Sequence, residues 1–214
     1  MIDLSKTGIL LTAHPRQQKW WAPVLLSLEL YPGPLILAYD DIDLVMIPDH
    51  VLSRFARCIA TGGPYGHGRG ELVCLQKGFA AATRLAVDYV LKLGFDEPVW
   101  RWRNIRQLIE IFEVEQLDCL DCNTRIILGH PYGLSKGMDL YPVEQREQGS
   151  AESHFNWVCR AMQYKRKHIA DRKWWEETLG LIHLQGEYAA NVGHDNTWSW
   201  KIAELWPRKK GNGK

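Results

Sequence analysis

The sequence lacks a charge imbalance, a long apolar run and an even set of cysteines. Its 26 Lys and Arg against 25 Asp and Glu leave a formal net charge of +1, so no global field attracts a polyanion. No apolar run reaches the ~18 residues of a membrane span, and the first six residues carry no secretory signal pattern. Five cysteines, an odd number, fit reduced thiols better than a disulfide framework. These absences predict a cytoplasmic protein.

Two common nucleotide-binding motifs are also missing from the glycine-rich segment 61–70. It matches neither the dinucleotide pattern G-x-G-x-x-G nor the P-loop pattern G-x-x-x-x-G-K-[ST]. Its glycines still allow a ligand to approach the backbone, and Arg69 with a helix start at Glu71 would add positive charge and free N–H groups. Phosphate or sugar binding and a flexible connector explain the segment about equally well. Cys119 and Cys122 form a single C-x-x-C without the second pair that a zinc site requires.

The pattern that is present indicates one α/β domain. The chain has 214 residues, of which 46% are hydrophobic and 24% charged, a globular balance. Strand-like and helix-like segments alternate over the first two-thirds, which is typical of a mostly parallel sheet flanked by helices. The predicted strands are 8–13, 35–39, 89–95 and 123–129, and the predicted helices are 17–30, 48–58, 71–87 and one that starts at Ser150.

The strand from Tyr89 to Phe95 ends in two carboxylates, Asp96 and Glu97. The carboxyl ends of parallel strands face the ligand crevice of an open α/β sheet. Oxygen ligands at such a place can hold a hard divalent cation, which in turn can hold the phosphates of a nucleotide. A strand that stops in a polar turn is the simpler explanation of these two carboxylates. Only the rest of the chain can favour a cation site over a polar turn.

Three later segments leave alternatives open. Segment 99–106 interleaves tryptophans and arginines, which could stack on sugars or pack as the amphipathic start of a helix. Segment 130–137 is predicted to be a polar loop that lines an acceptor pocket. The last third combines a basic stretch at 164–173 with several of the ten tryptophans, and a solvated helix face explains its charges most simply, although tryptophan also suits sugar stacking.

The order of these segments resembles the nucleotide-sugar half of GT-A type glycosyltransferases. The resemblance covers roughly residues 8–160. The matching residues are the strand that leads to His14-Pro15-Arg16, the strand that ends at Tyr39-Asp40-Asp41, the helix from Glu71, and the segment 89–97. It implies a GT-A-like α/β fold with a nucleotide-sugar-binding core and acceptor loops over 1–160, an extension of the same domain over 161–206, and a basic flexible tail over 207–214.

The resemblance also implies where the donor and a metal would bind. The predicted donor-binding residues are Thr12, His14, Arg16, Asp40, Asp41, Arg69 and Lys92. The D-x-D motif of the family falls on Gly94-Phe95-Asp96, so this chain has glycine in place of the first aspartate. A divalent ion, Mn²⁺ or Mg²⁺, would then depend on Asp96 and Glu97, with His183 and His194 as late ligands.

The catalytic residues implied by the resemblance are Glu152 and Asp96. Inverting members of the family place a carboxylate a strand and a loop beyond the metal motif, where it removes the acceptor proton, and Glu152 has that position. Without the resemblance, an acidic residue just after a Ser150 cap would be explained by the helix dipole.

The sequence therefore predicts a hexosyl- or pentosyltransferase that uses a nucleoside-diphosphate sugar, with UDP as the nucleotide. The predicted acceptor is a glycan, a small molecule, or a hydroxymethylated pyrimidine in phage DNA, in which case the protein would act in the host cytoplasm. Two alternatives remain: a nucleotidyltransferase of related fold, and a non-catalytic module that binds sugar or nucleic acid.

Overall fold

A seven-stranded sheet forms the centre of the molecule. It is seen in a computed structural model that describes residues 2–13, 21–40, 49–63, 65, 67–95, 97–140 and 150–181. The strands are β1 (Thr7–Ala13), β2 (Leu35–Tyr39), β3 (Arg57–Ala60), β4 (Tyr89–Gly94), β5 (Cys119–Cys122), β6 (Ile126–Gly129) and β7 (Arg166–His168). Their spatial order is β3-β2-β1-β4-β6-β5-β7. The sheet is mostly parallel, because β6 alone among these strands runs against its neighbours.

Helices cover both faces of the sheet. They are α1 (Trp21–Ser27), α2 (Asp49–Leu52), α3 (His67–Arg84), α4 (Ile105–Val114), α5 (Pro131–Leu140), α6 (Ala151–Ala161) and α7 (Arg172–Leu179). Apolar residues of α1, α2, α4 and α7 pack in one core, and those of α3, α5 and α6 pack in the other. All seven residues of β1 are buried, as expected for a parallel strand between two helical layers. None of the helices in the described ranges is long and apolar enough to cross a membrane.

The predicted α/β fold with a mostly parallel sheet is confirmed, but several predicted elements are wrong. The predicted helix 48–58 is a four-residue helix, α2, followed by the strand β3, which pairs with β2 at the edge of the sheet. Pairing with β2 overrides the local pattern, because strand formation depends on the neighbouring strand more than on intrinsic preference.

The predicted acceptor loop 130–137 is also wrong, because helix α5 begins at Pro131. Proline suits the first position of a helix, where its missing N–H would have no partner, so it marks a helix start here. The strands β5 and β7 were not predicted, and only the second half of the predicted strand 123–129 is strand, as β6. These strands have four, three and four residues, too short for a clear alternating pattern.

Gly33 lies in the turn before β2 and is packed against the backbone at the start of β1. A Cβ atom at this position would lie 2.7 Å from the carbonyl oxygen of Leu4 and closer still to that of Thr7. We expect Gly33→Ala to lower the free energy of unfolding by about 1–3 kcal/mol, the usual cost of overpacking. Chemical denaturation measures this difference.

Gly133→Ala is the matched control for Gly33→Ala. A Cβ at Gly133, in α5, would meet nothing within 4 Å. The control should be neutral or up to about 1 kcal/mol more stable, because alanine favours the helix. Equal stability of the two variants would contradict the close approach at Gly33.

Candidate functional site

The carboxyl ends of β1, β2, β3, β4, β5 and β7 lie along one edge of the sheet. Open α/β sheets bind their ligands in the crevice outside this edge. Three predicted site residues lie there: Thr12 near the end of β1, Asp40 directly after β2, and Glu97 just after β4. The structure therefore places these three on the side of the sheet where a ligand is expected.

Asp40 connects the end of β2 to the glycine-rich segment and the start of α3. Its carboxylate, in a residue only 2% exposed, accepts hydrogen bonds from the Thr61 hydroxyl at 3.0 Å and the Tyr65 backbone N–H at 3.4 Å. A Cβ on Gly70 would lie 3.0 Å from Asp40 Oδ2, so glycine allows the first turn of α3 to approach the carboxylate. Arg69 lies over the Tyr65 ring, 5.1 Å from its centroid.

Lys92 is buried inside the sheet rather than displayed at the edge. Its side chain is 1% exposed, and its ammonium group donates to Glu71 at 2.9 Å and to the Thr124 carbonyl oxygen. The ammonium group is therefore engaged with a carboxylate at the start of α3. Any effect of Lys92 on a ligand in this arrangement would act through its charge.

Glu152 lies in the first turn of α6, just after the Ser150 cap. Burial of the carboxyl group favours its protonated form. Hydrogen bonds from the Glu152 backbone and the Ser150 side chain, with the positive charges of Arg125 and Lys92, outweigh burial and lower the pKa of Glu152. The carboxylate is therefore ionised at neutral pH and able to accept a proton.

Of the residues after β4 that were predicted to bind a divalent ion, the structure describes Glu97. Glu97 is 6% exposed, and its carboxylate accepts a hydrogen bond from the Gly94 backbone N–H at 3.4 Å. Within the described ranges, His, Cys, Asp and Glu side chains form no group of three that could hold a metal. Three predicted metal ligands lie outside the described residues: Asp96, His183 and His194. Three of the predicted donor-binding residues also lie outside them: His14, Arg16 and Asp41. A metal requirement stays a prediction that depends on Asp96, Glu97 and the two histidines.

The C-x-x-C pair does not form a chelating site. Cys119 is buried in the core with α6, whereas Cys122 packs against the core on the opposite side of the sheet. Strand residues three positions apart face opposite sides, so the two thiols diverge.

The aromatic and basic segment 99–106 packs, as one of its two interpretations predicted. The Trp102 ring lies edge-on against Tyr31 with centroids 5.7 Å apart, and the Arg103 guanidinium lies 4.7 Å from the Trp102 centroid. Trp102 therefore contacts both Tyr31 and Arg103 within the protein.

A cavity of about 200 Å³ opens at the same edge of the sheet, between the ends of β4, β5 and β7 and the start of α7. Its lining includes Glu97, Cys122, Asn123, Arg125, Arg172 and Trp175. The two arginines were not among the predicted site residues. Arg125 follows β5 and Arg172 follows β7, so prediction of these two strands would have placed both side chains at the carboxyl edge.

Comparison with known proteins supports the fold. No family model and no curated protein matches the sequence. Among solved structures, the chain is similar to a protein of Desulfovibrio desulfuricans G20 that is provisionally named a nucleotide-diphospho-sugar transferase. The TM-score is 0.57 at 11% identity, over 94% of this chain and 96% of that chain. The chain therefore shares its fold with that protein. At this identity the match shows the fold alone.

A second similar structure is the glycosyltransferase GlyE of Streptococcus pneumoniae TIGR4. The TM-score is 0.49 at 13% identity, and the match covers 94% of this chain but only 52% of GlyE.

Proposed function

We propose that the protein is a glycosyltransferase that moves a sugar from a nucleoside-diphosphate sugar, with UDP as the nucleotide, to an acceptor hydroxyl. The observation that carries the proposal is the position of Glu152 in the first turn of α6, where hydrogen bonds and the positive charges of Arg125 and Lys92 lower the pKa of its carboxyl group despite burial. The fold shared with a nucleotide-sugar transferase supports it.

The spacing of the strands suits an extended donor. Neighbouring strands lie ~4.8 Å apart, so the ends of β2 and β4 are roughly 10 Å apart and the end of β5 is roughly 10 Å further. A nucleoside near Asp40 would place its diphosphate toward β4. The transferred sugar and the acceptor would then lie further along the edge, beyond β4.

The proposed reaction is a single displacement with Glu152 as the general base. The acceptor oxygen forms a bond to the anomeric carbon, and the bond from that carbon to the diphosphate oxygen breaks. Glu152 takes the acceptor proton, and the nucleoside diphosphate leaves with the electron pair of the broken bond. A single displacement inverts the anomeric configuration. It requires the carboxylate within hydrogen-bond reach of the hydroxyl and positive charge near the leaving diphosphate.

The proposed acceptor is a glycan or a hydroxymethylated pyrimidine of phage DNA. The net charge of +1 favours the glycan, because DNA-binding proteins gain much of their affinity from basic surface.

Donor binding is the first test of the proposed function. Thermal shift and calorimetry with UDP-, GDP-, CDP- and ADP-sugars, each with and without Mn²⁺, should show that a UDP-sugar raises the melting temperature. A ligand at 100 times its Kd stabilises the native state by about 2.7 kcal/mol. Asp96→Asn should remove the metal-dependent part of this binding and leave the melting temperature of the free protein unchanged.

Other outcomes of the donor screen would contradict the proposal. Stabilisation by a nucleoside triphosphate, with release of pyrophosphate on turnover, would indicate a nucleotidyltransferase. Binding of sugars without any turnover would indicate a non-catalytic module, and no response to any nucleotide sugar would exclude the proposed donor.

A further inference from the structure

We propose that the cavity is an anion subsite in which Arg125 binds a phosphoryl group of a substrate. The group belongs either to the diphosphate of the donor or to a phosphorylated acceptor. The choice between these two substrates rests on the proposed function, whereas anion binding by the cavity does not.

The acidic side chains of the cavity lining already accept hydrogen bonds from the protein. Glu176 accepts from Arg172 at 2.7 Å, and Glu97 accepts from the Gly94 backbone N–H at 3.4 Å. Both acidic side chains of the cavity lining are therefore engaged by a donor of the protein.

Arg125 differs from these side chains. It is exposed in the turn between β5 and β6, and it forms no hydrogen bond or ion pair with the described part of the chain. A guanidinium group carries five N–H donors in a planar fork, which matches the oxygens of a phosphoryl group. A ligand with such oxygens would find these donors unused.

The position of Arg125 separates it from an ordinary solvated arginine. It lines a concave site together with a second arginine, Arg172, that comes from a different element. Its charge also reaches two other residues of the site. It contributes to the lowered pKa of Glu152, and it opposes the rise in the pKa of Cys122 that burial mainly causes. A phosphoryl group on Arg125 would therefore lie near the proposed base.

The size of the cavity limits what it can hold. A volume of about 200 Å³ is smaller than the ~300–1,000 Å³ of typical small-molecule pockets. A phosphoryl group with part of a sugar fits this space, but a whole nucleotide sugar does not. The cavity is thus a subsite within a longer ligand site.

Calorimetry on the full chain tests this assignment with pyrophosphate as the free anion. We expect Arg125→Ala to weaken pyrophosphate binding by roughly 10- to 100-fold, as for loss of a charged hydrogen-bond partner. Arg125→Lys, which keeps the charge but not the fork, should lose less. Arg84→Ala is the matched control, because Arg84 is an exposed arginine at the end of α3, at the opposite edge of the sheet. Circular dichroism checks that each variant is folded.

Two paired comparisons identify the source of the anion. If UDP binding weakens in Arg125→Ala while uridine binding does not change, the anion is the donor diphosphate. If glucose 6-phosphate binding weakens while UDP binding is unchanged, the anion belongs to the acceptor. Unchanged binding of all three anions would overturn the proposal. Loss of pyrophosphate binding in Arg125→Ala, in a protein that binds no nucleotide, would keep the anion subsite and reject the proposed glycosyltransferase.

Discussion

Glu152→Gln is expected to reduce sugar transfer by about 10²- to 10⁴-fold and to leave nucleotide binding nearly unchanged. Glutamine keeps the size and the polar oxygen of the side chain but cannot take the acceptor proton. Glu152 lies at the start of α6, whereas the nucleoside is proposed to bind at Asp40, directly after β2, so donor affinity should not depend on Glu152. The measurements are the turnover rate with the donor found in the binding screen and the Kd of its nucleotide.

Glu110→Gln is the control for this variant, because Glu110 is an exposed carboxylate on α4, a helix of the opposite face of the sheet. Its turnover should equal that of the wild type. Full turnover of Glu152→Gln would show that the base has been assigned to the wrong residue. A fall in nucleotide affinity equal to the fall in turnover would place Glu152 in donor binding instead.

The pH dependence of transfer gives a second readout of Glu152. A base must be deprotonated, and the pKa of Glu152 is lowered because hydrogen bonds and nearby positive charges outweigh burial. The rate should therefore stay constant as the pH falls to the ordinary range of a glutamate and decline only below that range. An acidic limb near neutral pH would point to a different base.

The parts of the fold that the sequence predicted are those with the strongest burial signal. β1, β2 and β4 lie in the parallel part of the sheet between two helical layers, so most of their residues are apolar and they read as continuous runs. β7 gave the opposite signal, since its residues are Arg166, Lys167 and His168. A basic segment is predicted to be a solvated surface, and the sequence does not show that a buried carboxylate elsewhere in the chain pairs with it.

The candidate site was predictable only where a polar residue follows a predicted strand. Asp40 and Glu97 are of this kind, and both lie at the carboxyl edge. Arg125 follows a strand that was not predicted, so its place at the cavity could not be inferred. Lys92 is a different case, because it lies within a predicted strand. A lysine in an apolar strand suggests a ligand-binding role, but the sequence does not reveal the buried ion pair that its ammonium group forms with Glu71.

The carboxylate of Asp121 should be among the most important side chains for stability, and Asp121→Ala is expected to lower the free energy of unfolding by about 3–5 kcal/mol. Asp121 is 0% exposed. It accepts two hydrogen bonds from the Arg166 guanidinium, at 2.5 and 2.7 Å, and one contact from His168 at 2.8 Å. Its loss leaves the guanidinium of Arg166, whose side chain is 20% exposed, without this counter-charge.

Chemical denaturation of Asp121→Ala and of a surface control separates this effect from a general loss of negative charge. Asp88→Ala removes an exposed carboxylate and should change stability by no more than about 0.5 kcal/mol. Equal stability of the two variants would show that the buried ion pair does not fasten β7 to β5.

Arg166 also donates to Asn156 of α6 at 2.5 Å, so the same network holds the helix that carries Glu152. The milder Asp121→Asn should therefore lower the rate of sugar transfer more than it lowers the affinity for nucleotide. A shift of α6 moves the proposed base and leaves Asp40 in place.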